Sequence, residues 1–178
     1  MNKIILKQGR DHSLRRMHPW VFSGAVHRVE GAPGPGETVE VFSSDGKWMA
    51  RAAYSSGSRI VGRVWTFDEG EPVDEVFFRK RLAASIAGRD LLAGDAATDA
   101  FRLVYAESDG LPGVIVDHYA GWLSTQFLSA GAEHWREVIL GHLAELYPGS
   151  DIIDRSDAEV RVKEGLAPRL EAVRGSMP

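Results

Sequence analysis

The N-terminal third of the chain alternates apolar and polar positions with the two-residue period of half-buried strands, which predicts strands at 3–7, 38–42, 47–54 and 59–66. Ser43-Ser-Asp-Gly46 separates the second from the third, and Asp-Gly between two strand-like runs is a strong hairpin signal. In the last of these strands, alternation puts Ile60, Gly62 and Val64 on one face and Arg59, Val61 and Arg63 on the other, so two arginines are expected to share a face. Residues 11–16 have room for a single helical turn before His18-Pro19 stops it, and Gly31-Ala-Pro-Gly-Pro-Gly36 is a loop by composition. This part reads as a small, mostly β barrel.

The period then changes. Acidic, turn-like Asp68-Glu-Gly-Glu-Pro72 is the best boundary, and Asp74 is a candidate N-cap for a helix running to about residue 92, with Phe78, Leu82 and Ile86 on one face. Strands are expected at 101–106, 114–119 and 122–127. A helix follows in which Trp135, Val138, Ile139, His142, Leu143 and Leu146 form an apolar stripe, ended by Pro148-Gly149. After a short strand at 151–154, Ser156-Asp-Ala-Glu159 has the spacing of a capping box. The predicted class is α+β: a barrel over residues 1–70, a connecting helix over 71–97 and a second αβ unit over 98–178.

With 178 residues and 44% hydrophobic content the chain can bury two cores. No apolar run of the roughly 7–15 residues of a secretory signal opens it, and no run of about 20 apolar residues offers a bilayer span, so a cytoplasmic protein with no membrane partner is expected. The net charge of −4 hides an asymmetry: residues 1–70 carry ten basic and seven acidic side chains, and residues 71–178 carry eleven and eighteen. Lys3, Lys7, Arg10, Arg15, Arg16 and Arg28 are set against only Asp11 and Glu30, a density suited to several phosphates, although a solvated basic face with no partner reads the same way.

Self-sufficient chemistry is hard to find. Zero cysteines exclude a thiolate nucleophile, and His12, His18 and His27 fit no zinc-ligand spacing, so no metal site and no catalytic residue are assigned. No Gly-rich dinucleotide or triphosphate loop occurs, so no cofactor-binding residue is assigned either. Glu107, Asp109 and Asp117 leave a carboxylate acid–base pair open, and equally a capped turn, because Asp109-Gly110 and Pro112-Gly113 are turn dipeptides feeding the β-branched run Val114-Ile-Val116. His18-Pro-Trp-Val-Phe-Ser-Gly24 sets Trp20 and Phe22 inside the basic stretch, where aromatic faces and cations suit single-stranded RNA; Phe22 is expected instead in the barrel core.

Five motifs together are specific: His18-Pro-Trp-Val-Phe-Ser-Gly-Ala25, Arg63-Val-Trp-Thr-Phe67, Glu107-Ser-Asp-Gly-Leu-Pro-Gly113 with Asp117, Leu128-Ser-Ala-Gly-Ala-Glu133, and Asp154-Arg-Ser-Asp157 with Arg161 and Glu164-Gly-Leu166. They resemble the bacterial ribosomal RNA large subunit methyltransferase I family over nearly the whole chain. The resemblance implies an N-terminal PUA domain, a central β-β-α-β-β domain, and a Rossmann-like domain that uses S-adenosylmethionine to methylate C5 of a cytosine in 23S rRNA. The chain ends where that last domain would begin, so the expectation is the RNA-recognition half of such an enzyme, inactive alone, with 23S rRNA and the missing domain as partners; a stand-alone RNA-binding module and a homodimer stay open. The expected RNA contacts are Lys7, Arg10, Arg15, Arg16, His18, Trp20, Arg51, Arg59 and Arg63. Glu107, Asp109, Gly110, Pro112, Gly113 and Asp117, with Arg155, Asp157, Arg161 and Glu164, are expected as domain-docking or structural motifs.

Overall fold

The computed structural model describes residues 2–89 and 98–176. Apolar alternation in the N-terminal part produces six strands: β1 (Lys3–Leu6), β2 (Trp20–Phe22), β3 (Val26–Glu30), β4 (Thr38–Phe42), β5 (Trp48–Tyr54) and β6 (Ile60–Thr66). They form one mixed sheet in the order β2-β6-β5-β4-β1-β3, parallel only between β1 and β4. Its inner face closes over Ile4, Leu6, Val21, Val39, Val41 and Val64, with Leu14 of the one-turn helix α1 (His12–Arg15) plugging the same core. β2 and β3 were not expected: both are short, and β3 shows no clean alternation of burial.

The second unit begins with α2 (Glu75–Ala87), capped as expected when the Asp74 carboxylate accepts the Phe77 N–H at 2.9 Å. Residues 90–97, which include the expected end of this helix, lie outside the described residues. Strands β7 (Ala100–Tyr105), β8 (Val114–Tyr119) and β9 (Trp122–Phe127) are followed by α3 (Ala130–His134), α4 (Arg136–Leu146), β10 (Asp151–Asp154), α5 (Val160–Lys163) and β11 (Glu171–Arg174). The sheet order is β11-β10-β9-β8-β7, with β9 and β10 parallel. Three strands, not two, precede the helices, so the β-β-α-β-β description gives way to β-β-β-α-α-β-α-β. The single helix expected after β9 is broken at Trp135, and Leu146, expected in its buried stripe, is exposed. Among the described residues no helix is long and apolar enough to cross a membrane.

The connecting helix is no mere spacer. Phe77, Phe78 and Leu82 join Leu103, Val116, Phe127 and Ile139 in the second core. That core also contains Ala53 and Trp65 from the first sheet. β6 is therefore a wall shared by two cores: Val64 points into the first and Trp65 into the second, where its ring stands edge-on to Phe78 at 5.1 Å.

The expected capping box is absent. Ser156 accepts the Phe127 N–H at 2.8 Å and donates to Asp154, while α5 starts four residues later with no side-chain cap. A buried strand N–H left unpaired is costlier than a frayed helix end, so the long-range bond takes the serine.

The units meet closely at Gly131, where an added Cβ would overlap Ala53 Cβ and lie 2.9 Å from Trp65 Cζ2. Gly131→Ala should destabilise the chain by about 1–3 kcal/mol despite the roughly 1 kcal/mol gain in helix propensity, because neither wall can retreat. Urea unfolding followed by Trp fluorescence measures this; an unchanged midpoint would show that the seam yields.

Candidate nucleic-acid interface

Arg63 organises the seam. Its Nη2 donates to Glu164 Oε1 at 2.9 Å and its Nη1 lies 3.6 Å from Glu107 Oε1. Glu107 Oε1 also accepts the Trp20 indole N–H at 2.8 Å, and the guanidinium sits 5.7 Å from the centroid of the Trp20 ring, its partner across the β2–β6 ladder. Glu164, 2% exposed at its side chain, uses its other oxygen to accept the Ala130 N–H at 3.3 Å. One chain of charge-assisted bonds thus runs from β2 through β6 to the turn after β7 and to the start of α3.

This arrangement corrects the expected basic face. Arg63 shares its strand face with Trp65, and that face is covered by the second unit rather than by solvent. Arg51 is also committed inward: its Nε donates to Glu40 at 2.8 Å and its Nη1 to the carbonyls of Glu69 and Glu71, tying down the 68–71 turn. Trp20 is half-buried with its N–H spent on Glu107, which leaves it a structural anchor more than a free stacking platform.

The remaining cations stay at the surface. Arg10, Arg16 and Arg59 are exposed and form no ion pair among the described residues. Arg15 reaches back to Asp11 at 2.8 Å, and this guanidinium holds the Asp11 carboxyl below its ordinary range. Lys7 Nζ donates to the Gly24 carbonyl at 3.1 Å. Arg10, His12, Ser13, Phe22 and Gly24 line an open depression of about 380 Å³, and the Arg59 carbonyl accepts the Ser23 N–H. Phe22 is not a core residue. A register shift between Val21 and Phe22 turns its ring outward, 45% exposed, with the exposed His18 ring 6.2 Å away. Nothing in the hydropathy pattern announces that bulge.

The turn motif is internally satisfied. Asp109 binds Arg89 through both oxygens, at 2.9 and 2.8 Å, and accepts the Tyr105 N–H at 2.6 Å. Burial alone would raise its pKa, but these bonds outweigh it and hold the carboxyl below the usual carboxylate range. Gly110 and Gly113 both take positive φ, and a Cβ on Gly113 would come within 2.7 Å of Ser129 Cβ, whose hydroxyl donates to Pro112 O at 3.3 Å. Asp117 pairs with Arg102 at 2.7 Å. Arg161 is 1% exposed and binds Glu133 at 2.9 Å, the Ala167 carbonyl at 2.8 Å and the Phe127 carbonyl. Of the two roles expected for these residues, structural support describes Glu107, Asp109, Asp117, Arg161 and Glu164. Arg155 and Asp157 are exposed and only loosely paired at 3.9 Å. Glu107 and Asp109, expected as an acid–base pair on one reading, are each held by an arginine instead.

Removing one partner of a buried pair strands the other charge. Arg63→Met should cost about 3–5 kcal/mol, whereas Arg28→Met at the exposed Arg28–Glu30 pair should stay within about 1 kcal/mol; chemical denaturation compares them. The depressed Asp109 carboxyl contributes stability that is complete above the unfolded value near pH 4 and is lost as pH falls through its lower folded value. Asp109→Asn should therefore flatten the loss of stability below about pH 4, as read from urea midpoints across the acid range.

Comparison with known proteins follows the same outline. A domain family described as PUA-like matches residues 4–67, the extent of the first sheet. The chain is 49% identical over 176 residues to ribosomal RNA large subunit methyltransferase I of Salmonella arizonae and of Shewanella amazonensis, matching 99% of this chain and 44% of each relative. The same protein of Cronobacter sakazakii is 49% identical over the same extent. The chain thus spans less than half the length of the curated relatives it matches. Among solved structures, a candidate SAM-dependent methyltransferase from Streptococcus mutans aligns with a TM-score of 0.75 at 18% identity, covering 87% of this chain and 40% of that one. SMU.776, a candidate methyltransferase complexed with SAH, aligns with a TM-score of 0.76 over the same shares. At that identity the likeness is one of fold.

Proposed function

We propose that this chain, which matches the ribosomal RNA large subunit methyltransferase I family through the N-terminal part of those proteins, is the RNA-recognition portion of an S-adenosylmethionine-dependent rRNA methyltransferase. The observation that carries the reading is near-complete alignment of the chain, at 49% identity, with proteins bearing that name. The finer assignment is a cytosine C5 of 23S rRNA as target, in the cytoplasm, with methyl transfer performed by the further part that such relatives possess. S-adenosylmethionine would supply the methyl group there. The sequence carries neither a glycine-rich cofactor loop nor a cysteine to attack the base, so we assign both roles to that further part.

What these residues do is hold RNA. Arg10, Arg16 and Arg59 meet phosphates, with Lys7 and Arg15 contributing partial charge since each already serves an internal acceptor. Phosphate contacts of this kind fix register without reading sequence and release counterions on binding. The exposed Phe22 and His18 rings supply the stacking faces that the basic stretch needs for unpaired bases. The seam beneath them keeps β2 and β6 in place, so the surface is pre-organised rather than assembled on contact.

The reading is tested by filter binding of a 23S rRNA fragment at several salt concentrations. Arg16→Ala should lower the slope of log K against log salt by roughly 0.7–0.9, with little change in sequence preference. A slope unmoved by Arg16→Ala and Arg10→Ala alike would put the RNA on another surface.

A further inference from the structure

Between the two units lies a cleft of about 550 Å³ that the basic face does not use. Buried Trp65, Phe67 and Pro112 line it, together with exposed Met17 and half-buried Pro19. Met17 is unusual. It closes α1 at φ 60°, a left-handed conformation that non-glycine residues rarely adopt, and its side chain is 62% exposed between Arg16 and His18. An apolar thioether is thus displayed at the mouth of the cleft, between an arginine and an exposed imidazole of the RNA-facing stretch.

The charges inside have the opposite sense. Arg81 donates to Glu71 at 2.8 Å, stacks 4.9 Å from the Phe77 ring, and has no acceptor for its Nε among the described residues. Asp68 and Glu107 complete the polar lining. Glu107 is already held by Trp20 and Arg63, which leaves Asp68 and Glu71 against Arg81, a balance that does not favour a phosphate. These groups suit a planar ligand that offers N–H donors to the carboxylates and acceptors to the arginine along one edge, and apolar faces to Met17 and Pro19. An unpaired nucleobase with an exocyclic amine has that chemistry, and its phosphates would remain outside with Arg16.

We propose that the seam cleft receives one unpaired, amine-bearing base of the bound RNA, with Met17 against its face and the Glu71–Arg81 pair reading its edge. The proposal rests on the RNA-binding reading above and adds to it a base-selective site in which the Glu107–Gly113 turn forms one wall. Phosphate contacts on the rim then set affinity and salt dependence, while the cleft sets which base is held.

The test uses the 178-residue chain and RNA hairpins carrying 2-aminopurine, an amine-bearing fluorescent base, at each loop position in turn. Binding should change the emission by about twofold or more at one position, because the base leaves its stack there. Met17→Gly suits the left-handed backbone and so preserves the fold; it should weaken binding about tenfold without altering the salt slope. At the responsive position cytosine should bind about tenfold tighter than uracil, a preference that Glu71→Gln reduces to within about twofold. Salt-dependent RNA binding with no responsive position, or indifferent to Met17→Gly, overturns the cleft and leaves the RNA reading standing. Absence of salt-dependent RNA binding by the unaltered chain overturns both.

Discussion

Everything in this structure leans on a guanidinium that sits between two cores. Arg63 is 9% exposed, and an unpaired charge so placed would carry a penalty of several kcal/mol. Glu164 and Glu107 relieve it from two separate segments of the second unit, one of them 101 residues away in sequence. The charge on β6 is therefore balanced by the second unit, and Glu164 also accepts the Ala130 N–H at the start of α3. Trp65 does the apolar half of the same task. Two units that the chain visits one after the other are in this way joined into one structure by a shared strand.

That junction also decides which charges remain for a partner. The positive balance of residues 1–70 overstates the available field, because Arg51 and Arg63 spend themselves on Glu40, Glu164 and backbone carbonyls. The cations left in solvent are fewer, and Arg10 shares a depression with the exposed Phe22. An unpaired arginine is better suited to a phosphate than a neutralised one, since every phosphate contact has to displace whatever the cation was already holding. The acidic second half shows the complementary economy: Asp109, Asp117 and Asp154 all face arginines of their own unit.

The Glu107–Gly113 turn illustrates how a motif that looks chemical can be architectural. Its carboxylates are the residue types of acid–base catalysis, yet Glu107 accepts the Trp20 N–H at the seam and Asp109 grips Arg89, so both are built into the architecture. Its glycines serve a backbone that must turn left-handed at Gly110 and pass close to Ser129 at Gly113. The result is a rigid edge for the seam cleft, held from both units at once.

The sequence by itself determined four of the six strands described in the first unit, the Asp74 cap and, through its motifs, the family that nearly the whole chain resembles. Those are properties of local periodicity, of single caps and turns, and of residue identity, all of which act over a few residues. What only the tertiary structure decided was which faces are inside. Alternation told that Arg63 and Val64 point opposite ways, but not that a second core waits on the arginine side. The pattern likewise could not register the bulge that turns Phe22 to solvent, or that Ser156 would serve a distant strand instead of its own helix. Burial on both faces of a strand, and competition between local and long-range hydrogen bonds, depend on neighbours brought together by the fold, and no spacing along the chain encodes them.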